Sequence, residues 1–540
     1  SFVAAESLTR KAFPNHIKFW NLWKGKNPVS YEVIGQTLGG YLLIGLDLIF
    51  VVVFYMITAN YFGWWVPSST LFSPDMIATP FPWLSAVGMS LHAGFWEECL
   101  FRAIPIAGAV LISKKYGNRT LWVIFAMILQ AVIFAGAHAN YPSYPPYSRL
   151  VELIIPSLFW GFIYIRFGLL PVIISHFGYD VVWFSLPLFA SSSNDLIFDK
   201  IMVIVLTLIP VWVILKSWLK YKEVKKIDNS ELNNSFIAQE VIEKEVSQKS
   251  SINEFSINKN YKIVLYVLFI LGLFSYSQYI SNIDYSSLSL KVSRIEALNL
   301  SDKYLNDNNI ELDDDWSVLS EFIPGNIDSS DRFIWQRMGQ EIYQDLLGQY
   351  LSNNLWNIRY VKFSGDLNEK TEEYSVIINP DGSFNQIRHK IPENREGESL
   401  SENEARLIAQ EYINEKFNIN NDFIEEISFQ PSDLPNRKDW SFVFSDKSYL
   451  LNEGDLRINI NISGDEIVSH SRFVYIPEEW ERNDQNNTSL IGIVGMICSV
   501  LLTFLILFAA ASSIAQWSKG FFSFRLFKNI FILLSIFGIL

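Results

Sequence analysis

Cysteine is nearly absent from these 540 residues, and the two present, Cys99 and Cys498, each sit alone in an apolar run. That excludes a disulfide framework and a CxxC metal site, and it fixes no redox compartment. Charge is also scarce: Asp, Glu, Lys and Arg make up 18% of the chain, with a net charge of −13. An acidic balance argues against nucleic acid as a partner. There is no HExxH pair, the compact zinc signature on one helix. No signal peptide is visible. The chain opens on Ser1 and stops at Leu540 inside an apolar run, so it reads as a fragment missing both ends.

What is abundant is apolar sequence, half of the chain. A helix crosses a bilayer with about 20 apolar residues. Such runs lie at roughly 39–62, 81–111, 121–139, 150–167, 169–190, 201–219, 261–281, 489–513 and 526–540. Lys and Arg alternate between the intervening segments. Arg10, Lys11, Lys18, Lys24 and Lys26 precede the first run, and 63–80 has none. Lys114, Lys115 and Arg119 follow the second, and Arg166 follows the fourth. Lys216, Lys220, Lys222, Lys225 and Lys226 follow the sixth, and Lys519, Arg525 and Lys528 the eighth. By the positive-inside rule, the N-terminal segment 1–38 and the linker 221–260 are cytoplasmic and 283–487 is extracytoplasmic. The linker, rich in Lys, Glu, Asn and Ser, is a solvated tether. A core of 39–220, a helix at 261–282 and the helices of 488–540 are the membrane parts.

The outer region carries an internal repeat. "EALNLSDKYLN" at 296–306 returns as "EARLIAQEYIN" at 404–414, both amphipathic. "YSVIINPDGSFNQIRHKIPE" at 374–393 is echoed by "LRININISGDEIVSHSRFVYIPE" at 456–478, each an alternating hairpin turning at Asp381-Gly382 or Ser463-Gly464. Two α+β units follow, each a helix on a small antiparallel sheet, and they resemble the PepSY-type modules found outside membrane peptidases. The fold class is mostly α: a multi-pass transmembrane helical bundle with an inserted extracytoplasmic α+β tandem-repeat domain.

The chemistry concentrates in "GFWEECLFR", residues 94–102. An ionised group in mid-membrane costs roughly 2.5–3.5 kcal/mol on insertion scales, so such groups face a bundle interior or a watery cavity. Glu98 and Arg102, four apart with Glu first, are spaced as a helical ion pair. On a regular helix Glu97 points about 100° away from Glu98 and stays unpaired, as a general base beside a water would. His138 ends "FAGAH", and "HFGYD" puts His176 and Asp180 on one helical face. Glu97 and His138 both count out roughly 25 Å from the basic boundary of their runs, so they can meet at one depth. Asp47, His92, Gln130 and Glu152 are polar groups in apolar surroundings outside any motif, and we read them as structural. His16, His389 and His470 lie in soluble segments, the last two at matching places in the repeat.

EExxxR, then FxxxH, then HxxxD, in order on apolar helices, resembles the CPBP family. These are the CAAX prenyl endopeptidase and bacteriocin-processing (ABI) intramembrane proteases. The resemblance covers about 39–220. It implies a membrane-embedded endopeptidase in which Glu97 and His138 activate the attacking water. His176 and Asp180 polarise the scissile carbonyl and steady the oxyanion, and Glu98–Arg102 is the structural pair. Asp180 stands where the prenyl-endopeptidase branch has Asn. An ionised Asp cannot donate as an amide does, which puts the oxyanion contact on His176 more than on Asp180.

A glutamate-type mechanism without a cofactor is favoured over zinc, whose ligands would be Glu97, His138 and His176. The expected partners are a membrane protein or peptide substrate and the lipid bilayer, with a peptide or protein for the outer domain. The expected site of action is the bacterial plasma membrane. The rival reading is a catalytically silent membrane immunity or sensor protein whose outer domain binds a ligand. A transporter would be favoured by inverted repeats, and 39–220 shows none.

Overall fold

The computed structural model describes residues 1–65, 76–139, 141, 143–235, 259–282, 290–325 and 328–518, with isolated positions beyond. Most of the 221–260 linker and of the expected 526–540 span lie outside the described residues. Helices α1 (Phe2–Ala12), α2 (Tyr31–Phe62), α3 (Pro82–Glu97), α4 (Ile104–Tyr116), α5 (Arg119–Ala137), α6 (Ser148–Phe167) and α7 (Leu169–Phe184) form a bundle. Short α8 (Leu186–Ala190) leads to α9 (Ile197–Thr207) and α10 (Ile209–Tyr221). Five described helices are long and apolar enough to cross a membrane: α2, α5, α6, α11 (Lys259–Asn282) and α16 (Glu478–Ser518). A sixth is obtained if α9 and α10, bent by 60° where Pro210 opens the second helix, count as one span.

Two expected spans are broken. The run 81–111 is α3 and α4 joined by a π-helical turn, Glu98–Ala103. Its closing bond runs from the Ile104 N–H to the Cys99 carbonyl, five residues back. The cause stands one residue further on: Pro105 has no N–H to give the preceding turn, and its ring crowds the carbonyl four residues back, so the helix widens there. The run 169–190 is the 16-residue α7, then Ser185 and α8. All six residues of the π turn are buried, and α1, α5, α6, α7 and α16 touch it. The N-terminal segment thus contributes directly to the core. Ala4, Ala5 and Leu8 of α1 are buried there, and the hydroxyls of Thr9 and Tyr164 bond at 2.6 Å. Residues 18–31 lie against 225–231 through Lys18 N–H to the Glu231 carbonyl and Tyr31 N–H to the Lys225 carbonyl, each 2.9 Å.

The tandem repeat folds as two like units. The first holds α12 (Arg294–Asp307), the short α14 (Leu367–Thr371) and an antiparallel sheet, β1 (Trp316–Ile323), β2 (Leu355–Lys362), β3 (Glu373–Ile378) and β4 (Phe384–Lys390). The helix between β1 and β2, α13 (Ser329–Leu346), packs instead into the core of the second unit through Phe333, Ile334 and Leu346. The second holds α15 (Glu402–Phe417) and β5 (Ile424–Asp433), β6 (Lys438–Asp446), β7 (Asp455–Ser463) and β8 (Glu466–Tyr475), again in sequence order. Ser293 with Glu296 and Ser401 with Glu404 close the same capping box at the start of α12 and α15. Alternation in β7 buries Leu456, Ile458, Ile460 and Ile462 under α15. The edge strands β4 and β8 abut: the Gln386 amide exchanges two 3.3 Å bonds with the His470 backbone, and His389 reaches Glu466 at 2.8 Å. His389 and His470 therefore serve the joint between the units.

The first unit is seated on the bundle. Phe177 and Val181 of α7, Met76–Ala78, and Val292, Phe322 and Trp356 share one apolar core. Ser293 Oγ donates to Asp195 at 2.8 Å and Ser193 Oγ to Glu296 at 2.9 Å. Arg332 forks onto Asp484 at the head of α16. Two long helices bracket the repeat. A Cβ on Gly272 of α11 would stand 1.9 Å from the Gly45 carbonyl of α2, so these backbones touch. Likewise Cys498 of α16 fills the space at Gly136 of α5.

Candidate active site

The motif opens on a glycine for a steric reason. A Cβ on Gly94 would lie 2.7 Å from the Phe177 nitrogen, so α3 and α7 cross in backbone contact there. That crossing brings the carboxylates of the next turn to His176. Glu97 and Glu98 keep regular α dihedrals, and both side chains reach one imidazole from its two edges, with the π turn beginning behind them.

Glu98 Oε1 lies 2.7 Å from His176 Nδ1, and Glu98 Oε2 lies 3.3 Å from Arg102 Nε. The expected pair is present, but Glu98 is shared with the histidine. On the other side of the ring, Nε2 lies 3.8 Å from Glu97 Oε2 and 3.5 Å from Asp180 Oδ2. Exposure separates the two sets. Glu98 and Arg102 have no open surface, whereas Glu97 and Asp180 keep 14% and 15% of their side chains open. Glu97 Oε2 is buried without a hydrogen-bond partner. Arg102 makes no hydrogen bond that satisfies its three nitrogens. Its guanidinium instead lies 4.0 Å over the Phe134 ring and 5.1 Å from Trp160, a desolvated cation–π arrangement.

His138 caps α5. Its Nδ1 is 2.8 Å from the Phe134 carbonyl, which makes Nδ1 the donor in the neutral ring and leaves the Nε2 lone pair free. Phe134 touches both histidine rings, at 4.7 Å and 6.1 Å between centroids, and His138 is within Coulombic reach of Glu97 and His176. The six motif residues thus form one cluster, with Glu97, Glu98, Asp180 and His176 in direct proximity and His138 joined through Phe134. The cluster lies at the end of the bundle that faces the repeat. Beyond His138, Tyr144 pairs with Trp65 through two 2.7 Å backbone bonds, and Trp65 stacks on Trp335 of α13 at 5.3 Å.

Some neighbours have no motif to announce them. Trp160 stacks on His176 at 4.7 Å and 25°, and its Nε1–H donates to Asp47 Oδ2 at 3.2 Å. Ser175 Oγ donates to the same oxygen at 2.8 Å. The one sequence signal was Asp47 itself, an acid midway along an apolar helix. Glu152 takes Arg149 and the Tyr55 hydroxyl, each at 2.6 Å, and Gln130 pairs with Ser157 at 3.0 Å, so both are structural bonds between helices.

A zinc ion would need Glu97, His138 and His176 to converge. The Nδ1 bonds to Phe134 and Glu98 would leave Nε2 of each histidine to a metal, but among the described residues no three His, Cys, Asp or Glu side chains come together as a ligand set. These residues do not fit a metal as arranged, and no step below is routed through one.

No curated protein and no solved structure matches the chain. Residues 79–182, the segment holding all three motifs, match the family model of the type II CAAX prenyl endopeptidase Rce1-like proteins, so this part of the chain is similar to a CAAX-type protease domain of the CPBP kind.

Proposed function

We propose that the chain is a multi-pass intramembrane endopeptidase that hydrolyses a peptide bond in a membrane-associated protein or peptide. The observation that carries this reading is the unpartnered Glu97 carboxylate oxygen facing His176 Nε2 across 3.8 Å, in the part of the cluster that keeps some open surface. Water between Glu97 and His138 gives a proton to Glu97, and the hydroxide forms a bond to the scissile carbonyl carbon. The oxyanion is met by the His176 Nε2–H, which Glu98 orients from the opposite nitrogen. Collapse breaks the C–N bond, and the proton passes from Glu97 to the leaving amine. Asp180, beside Nε2, holds the charge of His176 and does not itself donate to the oxyanion.

The Rce1-like match over residues 79–182 supports the reaction class. The basic-loop alternation supports an extracytoplasmic repeat, where it offers a surface to a peptide or protein partner. The deciding experiment is purified protein against a proteome-derived library of membrane peptides, with Glu97→Ala as control. Cleavage lost in the variant supports the reading. A wild-type protein that binds a ligand through the repeat and cleaves nothing would favour the silent sensor.

A further inference from the structure

We propose that Asp47 and Trp160 are positioning residues that fix the orientation of His176, an inference that rests on the hydrolase reading above. A stacked imidazole has one torsion left by which it can turn. For His176 the Nδ1 edge is fixed by Glu98 and the Nε2 edge must serve the reacting oxygen. What stops the ring from tilting is the indole plate of Trp160. That plate is useful only if it is itself held, and its single polar atom donates to Asp47.

Asp47 belongs to α2, which carries none of the motifs, and is almost wholly buried, so it meets neither water nor substrate. Its Oδ2 accepts two bonds: one from Trp160, and one from Ser175, the residue before His176 on α7. One carboxylate oxygen thus locks both the plate and the backbone step that carries the ring. The same indole lies beside Arg102, so it also keeps the Arg102–Glu98 charge pair aligned with the Nδ1 edge. A donor aimed at a developing oxyanion must hold its geometry within about 0.5 Å and 10–20° to be effective. Because both bonds enter one oxygen, an Asn carbonyl can accept them and an aliphatic side chain cannot.

The test uses the full chain in nanodiscs and a peptide identified by the library screen. Asp47→Leu and Trp160→Leu should each lower kcat by about tenfold to a hundredfold, the cost of a small misplacement, with KM nearly unchanged. Asp47→Asn should recover most of the lost rate, and the Asp47→Leu/Trp160→Leu double variant should lose less than the product of the two single losses, since the singles share the Trp160–Asp47 bond. Trp160→Phe, which keeps a ring on the imidazole but not the N–H, covers the case in which a leucine variant does not fold. It should fall between wild type and Trp160→Leu. NMR of histidine-labelled protein reads the orientation without turnover. The His176 ring protons should lose their ring-current shift in Trp160→Leu, broaden in Asp47→Leu and stay put in Asp47→Asn. Unchanged His176 signals in Trp160→Leu, or Asp47→Asn as slow as Asp47→Leu, would overturn the proposal. A wild type with the expected signals and no cleavage would overturn the hydrolase reading alone.

Discussion

At the scale of the residue, adjacent glutamates of one chemistry have different work because one is sealed and the other is not. Glu97→Gln keeps the shape and removes the base, so cleavage should vanish while the melting temperature in detergent stays near wild type. Glu98→Gln strands Arg102 where it has no open surface. Removing one partner of a buried pair costs about 3–5 kcal/mol, so the melting temperature should fall sharply. Cleavage should fall too, because Glu98 also holds His176. Arg102→Gln should destabilise by the same mechanism, and the neutral double Glu98→Gln/Arg102→Gln should regain stability without regaining rate. A stable, inactive Glu98→Gln beside an unfolded Glu97→Gln would reverse these roles. The motif residues could be read from the chain because each pair sits within one helical turn. Asp47 and Trp160 could not: they stand 113 positions apart, and no local spacing links them.

At the scale of the element, the informative feature is the π turn. The two carboxylates of "EECLFR" sit on regular α backbone, and the widening before Pro105 resets the register of Arg102 and α4 against them, which the sequence pattern does not announce. Pro105→Ala restores the missing N–H, and an interior proline costs a helix about 3 kcal/mol. The variant should therefore melt higher than wild type and cleave more slowly, as the turn reverts to α and Arg102 rotates out of register with Glu98. Equal or faster cleavage would mean that the widening serves no purpose at the site. In the repeat, helices and hairpins were legible from alternation and turn residues, whereas the meeting of β4 and β8 depends on two segments 84 residues apart. An acid in α13 gives a pH test. Asp331 is buried, accepts from Tyr343 at 3.1 Å and lies beside Asp328. Burial first, and then the Asp328 charge, push it up to about 7 from 3.8. A carboxyl raised on folding binds more protons folded than unfolded, so its stabilisation is full below about 4 and is lost as pH rises to about 7. Protection of the α13 amides, corrected for the base catalysis of exchange itself, should thus fall between about pH 4 and 7, and Asp331→Asn should flatten that dependence. An unchanged slope in the variant would assign the effect elsewhere.

At the scale of the molecule, the chain reads as a bundle with a tandem unit set on one end, fastened by a shared apolar core and by α11 and α16. The sidedness is testable. Ser399 is exposed on the second unit, and a cysteine there should react with an impermeant reagent on intact cells. A cysteine at Ser250, in the 221–260 linker, should react only after the membrane is opened. The reverse pattern would invert the topology. Both native cysteines are buried and should stay silent.

The contact between Gly136 and Cys498 has a consequence for synthesis. The helix that carries His138 packs against a segment that leaves the ribosome more than 360 residues later. At 5–20 residues per second this gap lasts roughly 20–70 s. For most of that interval, from Asp180 onward, every motif residue has been made, yet α5 lacks one of its neighbours. A nascent chain halted before residue 498 should therefore carry a looser active-site helix than the finished protein. On the proposed reading, cleavage would reach full strength only as α16 takes its place.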